Sequence, residues 1–269
     1  MTSNPRVAIG LAVLLALATT AVCAPLLAPA SPTSQSLDEG LRPPSAAHVF
    51  GQDKLGRDQL SRVIYGARPS LLVGVVTVGV SALVGLLIGA VAGYRGGWID
   101  LGVMRVVDVL LAFPGLLLAI AVSAVLGPGL RHVVLALCVI GWTGYARVVR
   151  AEVLSLRTRE FVESARALGA SPVRVLRRHV MAHVLPLLAV QASFGMAGAV
   201  VAEAGLSFLG LGIQPPAPSW GAMLNDARTF LLIAPHLAIF PGAALMLTVL
   251  GLNLLGEGLR DALDVHANE

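Results

Sequence analysis

Long stretches of this 269-residue chain carry no charged side chain, and that constrains its folding more than any other feature. Charge is absent between Arg6 and Asp38, between Arg68 and Arg95, and between Asp108 and Arg131. It is absent again between Arg131 and Arg147, between Arg178 and Glu203, and between Arg228 and Glu257. A helix needs about 20 apolar residues to cross the hydrocarbon core of a bilayer. Each run holds one such helix, which predicts spans near 7–27, 70–93, 106–126, 131–148, 183–204 and 231–255. The fourth run is short and uses the aliphatic stem of Arg147 to reach the interface. Pro114 is expected to kink the third span, because its missing N–H frees a carbonyl. A seventh uncharged run, Ala204 to Asn225, holds Gly205, Gly210, Gly212, Pro215, Pro216, Pro218 and Gly221. Such a segment interrupts a helix, so it reads as an outer loop dipping back towards the membrane. Only 13% of residues are charged and mean hydropathy is +0.82. A soluble domain carries about 25% charge, so a bilayer is the main solvent and disorder is excluded.

The first run, Arg6 followed by apolar residues up to Leu27, also resembles a cleaved signal peptide. It lacks a polar cleavage region, and Val22 before Cys23 does not suit lipoprotein processing, so a retained helix is expected. Six spans place both termini on one side. Lys and Arg accumulate in cytoplasmic loops. With the N-terminus inside, 12 of the 19 basic residues lie inside, eight of them between Arg147 and Arg178. The orientation is therefore N-in, C-in. The outer basic residues of the first loop are accompanied by Asp38, Glu39, Asp53 and Asp58. Eighteen arginines against one lysine point to a GC-rich genome. Cys23 and Cys138 lie in apolar runs and form no metal or disulfide framework.

The Arg-rich segment, 150–183, is too polar to cross the membrane and is patterned for helices. Phe161, Ala165 and Leu168 fall at i, i+4 and i+7 on one helical face, and Arg159 and Glu163 are spaced as an i, i+4 ion pair. Gly169 suits a helix terminus, since glycine tolerates the left-handed conformation. Ser171 as N-cap and Pro172 at the first position restart a helix. In that helix Val173, Leu176 and Val180 line one face, and Arg174, Arg177 and Arg178 the other. The expected product is a two-helix projection shaped to enter a groove of another protein.

Glu163-Ser164-Ala165-Arg166-Ala167-Leu168-Gly169, followed by Leu185-Pro186, resembles the EAA loop of permease subunits of bacterial ABC importers. Glu163, Ala165 and Gly169 match that pattern, and Ser164 stands where many members have alanine. Further stretches resemble the dipeptide, oligopeptide and nickel branch, in its C-type subunit. They are His48 to Asp58, Gly93 to Asp100, Ala112-Phe113-Pro114, Leu206 to Gly212, Pro215 to Gly221 and Gly258 to Asp264. The resemblance runs in order from Pro43 onwards. It implies an all-α membrane protein with the type I ABC-importer permease fold and cytoplasmic coupling helices. The segments are then a first span, 1–28, an extracytoplasmic segment, 29–68, and a five-helix core, 69–260, with a cytoplasmic tail, 261–269. The core includes the EAA loop, 150–183, and the outer loop, 205–228.

The resemblance also implies partners: a second permease subunit, two ABC ATPases and an extracytoplasmic solute-binding protein, in the cytoplasmic membrane of a bacterium. Arg159, Phe161, Glu163, Ala165, Leu168 and Gly169 become the expected ATPase-coupling residues. A P-loop needs a lysine followed by Ser or Thr in a Gly-rich turn. The sole lysine, Lys54, precedes Leu55, so this chain is not the motor. ATP and Mg belong to the partner ATPases, and no cofactor or nucleic acid is expected on this chain. His48, His132, His179, His183, His236 and His266 are scattered without metal-ligand spacing, and read as interfacial polar residues. Ionisable residues within spans face protein or a watery path. Glu203 and Asp108 are therefore candidates for the path or outer gate, and Phe208, near Glu203 in the sequence, is named with them. Arg105 and Asp108 alternatively form a local i, i+3 ion pair, and Glu203 alternatively pins the outer loop. Peptides are the expected cargo. A nickel or metal-chelate importer is the alternative, and an ATP-independent carrier or scaffold the rival from another class.

Overall fold

The computed structural model describes residues 5–267, with side chains as far as Leu263. Residues 1–4 of the first segment, 268–269 of the C-terminal tail, and the side chain of His266 lie outside the described residues. The helices, in chain order, are α1 (Pro5–Val22), α2 (Ala24–Leu27), α3 (Gln59–Arg95), α4 (Gly97–Leu111), α5 (Gly115–Leu126) and α6 (Leu130–Leu156). They continue with α7 (Glu160–Ala167), α8 (Pro172–Val175), α9 (Met181–Phe208), α10 (Trp220–Ala227) and α11 (His236–Ala267). Among the described residues, five continuous helices are long and apolar enough to cross a membrane, and α4 with α5 forms a bent sixth element.

The third span departs from the expected kinked helix over 106–126. Helix begins already at Gly97, and α4 and α5 meet at 84°. Pro114 excludes its predecessor from the helical region and then starts α5 at its N-cap, φ −57°, ψ 119°. At 1.5 Å per residue these pieces are about 22 and 18 Å long, so neither alone spans a core about 30 Å thick. The fourth span is longer than 131–148, because Arg147 and Arg150 do not end it. Arg147 pairs with Asp108 of α4 at 2.8 Å, and Arg150 pairs with Asp100 of α4. The Arg105–Asp108 pair expected from spacing is thus replaced by an interhelical one.

Lipid tails give apolar helices no hydrophobic reason to associate, so close packing through small residues has to hold them. In α3, Gly85, Gly89 and Gly93 recur every fourth residue along the face against α6. A Cβ at Gly89 would lie 2.4 Å from the Ala146 carbonyl oxygen, and one at Gly93 2.8 Å from that of Arg150. The first helix is held in the same way: α1 packs on α11, where a Cβ at Gly10 would lie 2.7 Å from the Gly251 carbonyl oxygen. Arg6 adds a bond to Asp261 at 3.1 Å. That carboxylate sits in the expected tail, whose residues up to Ala267 continue α11 as helix.

The segment 29–58 folds over the end of the bundle opposite α7, around buried charge. Asp53 accepts from the backbone N–H of Leu55 (2.8 Å) and Arg57 (3.0 Å), and from Arg57 Nε at 2.6 Å. Arg62 Nε approaches the same carboxylate at 3.4 Å. Asp58 caps α3 by accepting from the Ser61 N–H at 2.8 Å, and its other oxygen meets His48 Nδ1 at 2.8 Å. Gly56 has φ +69°, and a Cβ there would sit 1.8 Å from the Ser36 carbonyl oxygen. Lys54 Nζ reaches Asp226 of α10 at 2.6 Å, on the surface. Removing one member of a buried ion pair strands its partners. Asp53→Ala is therefore expected to cost ~3–5 kcal/mol, read as a lower unfolding temperature in detergent. Lys54→Ala breaks an exposed pair and is expected to cost less than ~1 kcal/mol in the same assay.

Candidate functional site

The projection is built as a knuckle on a buried base. Arg159 is the N-cap of α7, with extended backbone, and its carbonyl accepts from Val162 and Glu163. No Arg159–Glu163 ion pair forms among the described residues, because Arg159 stands outside the helix whose spacing would align the two. The expected apolar face is split. Val162 and Ala165 are buried, Phe161 lies half out with its ring 5.5 Å from that of His183, and Leu168 is 89% exposed. Leu168 has left helical phase, as the C-cap at φ −79°, ψ 7°. Gly169 follows at φ +83°, with nothing within 4 Å of where a Cβ would stand.

Pro172 opens α8 as its spacing predicts, although the Ser171 side chain makes no capping hydrogen bond. Val175 takes the buried position expected of Val173, which is 65% exposed. A π-helical turn over Leu176–Val180 advances the phase before α9 begins. The base of the knuckle is one apolar cluster that includes Val153 and Leu156 of α6, Val162 and Ala165 of α7, Val175 of α8, Val180 of the turn after it and Val184 of α9. Arg166 lies over the Tyr94 ring at 5.2 Å, and Arg157 donates to the Gly93 carbonyl at 3.2 Å. Packed atoms therefore connect the knuckle to the ends of α3, α6 and α9. Glu163 is exposed on the knuckle.

At the other end of α9, Glu203 is fully buried and accepts from Ser70 Oγ of α3 at 3.0 Å and Ser207 Oγ at 2.7 Å. It faces α3, so it clamps two helices where they meet. Phe208 is the last residue of α9 and is 38% exposed. Asp108 sits on α4, half exposed, with Arg147. The structure brings these three together neither with one another nor with the knuckle.

Sequence reasoning passed over a different face of α9. His183, Leu187, Gln191, Gly195, Gly198 and Ala202 recur every three or four residues and line two cavities. One, of about 310 Å³, lies among α3, α5, α6 and α9, with Thr77, Ser81 and Tyr145 in its wall. The other, of about 840 Å³, opens at the end bearing α7, between Glu152, His183, Phe194 and Arg260. Gln191 belongs to both. A signal for it was available: it is the one amide side chain between Arg178 and Glu203.

The sequence has relatives among known proteins. Residues 85–267 match the model of the family described as binding-protein-dependent transport system inner membrane component. The dipeptide transport system permease protein DppC of Alkalihalophilus pseudofirmus is 43% identical over 261 residues, covering 97% of this chain and 86% of that protein. The glutathione transport system permease protein GsiD of Pectobacterium atrosepticum is 49% identical over 228 residues, covering 85% and 75%. The GsiD of Shigella sonnei is 49% identical over 221 residues, covering 82% and 73%. Residues 85–267 contain the knuckle, Glu203 of the clamp and the whole glutamine-bearing face of α9, and the chain belongs to the binding-protein-dependent transport system inner membrane components, as a membrane-embedded permease subunit.

Proposed function

We propose that this chain is the C-type permease subunit of an ATP-driven importer that carries short peptides across the cytoplasmic membrane of a bacterium. The observation that carries the reading is the knuckle: exposed at Glu163, Leu168 and Val173, yet rooted in the cluster shared by α6, α7 and α9. A surface so exposed and so firmly rooted suits the transmission of force from a docked partner. The positive-inside bias supports placing it in the cytoplasm. Two ATPases dock there and hold ATP and Mg, and a second permease completes the path. A solute-binding protein releases cargo at the opposite face, formed by the segment 29–58 and α10. Names of relatives that carry dipeptides or glutathione support a peptide cargo. Glu203 acts as a clamp between α3 and α9, and Arg159, Phe161, Ala165 and Gly169 shape the coupling element.

The complex with its native partner subunits, reconstituted in proteoliposomes, tests the reading. Uptake of labelled alanyl-alanine or reduced glutathione is expected, and it should require both ATP and the binding protein. Uptake of nickel in place of either peptide would move the chain to the metal branch. Uptake independent of ATP would overturn the importer reading.

A further inference from the structure

How α4 lies relative to the bilayer follows from its neighbours. Helix α5 runs along α6 in the opposite direction. A Cβ added at Gly115 would lie 3.8 Å from Ile140 Cγ2, and at the other end of α5 the Gly127 carbonyl meets His132 Nδ1 at 2.9 Å. Helix α4 stands at 84° to α5, so it crosses α6 almost at a right angle. The ion pairs agree with a crossing. Asp100 and Asp108 are about 12 Å apart along α4, whereas their partners Arg150 and Arg147 are about 4.5 Å apart along α6, at about 1.5 Å per residue.

Those arginines also fix the level of the crossing. Helix α6 begins at Leu130, at the end away from the knuckle, and they stand about 26 and 30 Å further along it. The hydrocarbon core is about 30 Å thick, so α4 sits at the edge of the core on the knuckle side. The chain crosses the core without it: α5 is about 18 Å long, and residues 127–129 reach up to about 10 Å more.

The two faces of α4 differ as an in-plane helix requires. Towards the protein, Val107 is fully buried, and Asp100 and Asp108 meet α6. On the other side Trp98, Leu101, Arg105 and Val109 recur every three or four residues and are all exposed, Trp98 at 88%. Gly102 between them has nothing within 4 Å of an added Cβ. Arg105, and Arg95 just before the turn into α4, are exposed and pair with no carboxylate among the described residues. A protein covering this apolar strip would have to supply a carboxylate for Arg105 at its centre. A lipid surface supplies phosphate for the guanidinium and acyl chain for the apolar side chains, and tryptophan is enriched at this level of a bilayer.

We propose that α4 is an amphipathic helix lying in the headgroup layer on the knuckle side, with Trp98, Leu101 and Val109 against the acyl chains and Arg95 and Arg105 on the phosphates of anionic phospholipid. The lipid contact does not depend on which solute the permease carries. Tied to α6 by two ion pairs, α4 holds the knuckle end of that helix level with the headgroups.

The test uses the complex with its native partners in liposomes of equal phosphatidylglycerol and phosphatidylethanolamine. The photoreactive residue p-benzoylphenylalanine replaces Leu101 or Val109, whose side chains are both exposed. Irradiation is expected to give phospholipid adducts of this chain from both positions, bonded near the glycerol in each. Phosphatidylglycerol should outnumber phosphatidylethanolamine among the adducts, and Arg95→Gln with Arg105→Gln should reduce that excess about fivefold. Adducts to the second permease or an ATPase in place of lipid would make this face a subunit contact and overturn the proposal. A bond near the acyl-chain ends from position 109, with position 101 still at the glycerol, would make α4 half of a span and overturn it too. An excess unchanged in the double-glutamine variant would overturn the contact between the arginines and phosphate.

Discussion

Gly89→Leu is expected to lower the amount of this protein in the membrane several-fold, while Gly79→Leu on the same helix leaves it unchanged. The contrast follows from what each added side chain would meet. At Gly89 even a Cβ would lie 2.4 Å from the Ala146 carbonyl oxygen and 3.0 Å from its Cα. Backbone atoms in a helix cannot step aside, so α3 and α6 must separate. Overpacking typically costs 1–3 kcal/mol, and a clash with backbone belongs at or above ~3 kcal/mol. Losses of that order change cellular abundance several-fold. Gly79 has nothing within 4 Å, so its substitution tests whether bulk or hydrophobicity alone does harm. Immunoblots of membrane fractions and unfolding temperatures in detergent measure both variants. Equal abundance of the two would show that glycine spacing does not hold these helices together.

Gly169→Trp is expected to leave the protein in the membrane and to reduce uptake by the reconstituted complex at least about tenfold. Glycine sits there at φ +83°, and an L-residue forced into the left-handed region costs roughly 1–2 kcal/mol. That cost is modest beside the α3–α6 clash, and the added side chain meets no atom of this chain. The indole instead stands on the knuckle between Leu168 and Val173, where the proposed ATPase docks. Asn tolerates the same backbone conformation, so Gly169→Asn is expected to retain more activity than the tryptophan variant. Uptake by Gly169→Trp at the wild-type rate would separate this surface from coupling.

Much of the architecture was legible because the bilayer imposes one rule on every span: charge is confined to ends and interfaces. Hence five of the six expected spans fall on continuous helices, but with other ends: α1 stops at Val22, short of residue 27, α11 begins at His236 and not at 231, and α3, α6 and α9 run on at both ends. The third does break at Pro114 as expected, but by 84°, since proline announces a break without giving its angle. Asp108 was read against Arg105 because sequence spacing sees i, i+3 neighbours and cannot see Arg147, on another helix. The knuckle was visible through Gly169 and Pro172, yet its buried face was assigned wrongly. A π turn and a C-cap shift phase by a fraction of a turn, which periodicity over eight residues does not resolve. Gln191 was passed over because a single neutral amide barely disturbs the hydropathy of an apolar run.

The clamp at Glu203 gives α9 a fulcrum. From Pro172 to Phe208 the chain is one helical rod of 37 residues, gripped by α3 near one end and joined to the knuckle at the other. Glu203 lies about 46 Å from Pro172 and about 18 Å from Gln191 along that rod, at 1.5 Å per residue. A push on the knuckle is therefore geared down: ~3 Å of travel at its base moves Gln191 sideways by ~1 Å. That gearing trades distance for force. On the importer reading proposed above, it suits a gate that opens only narrowly.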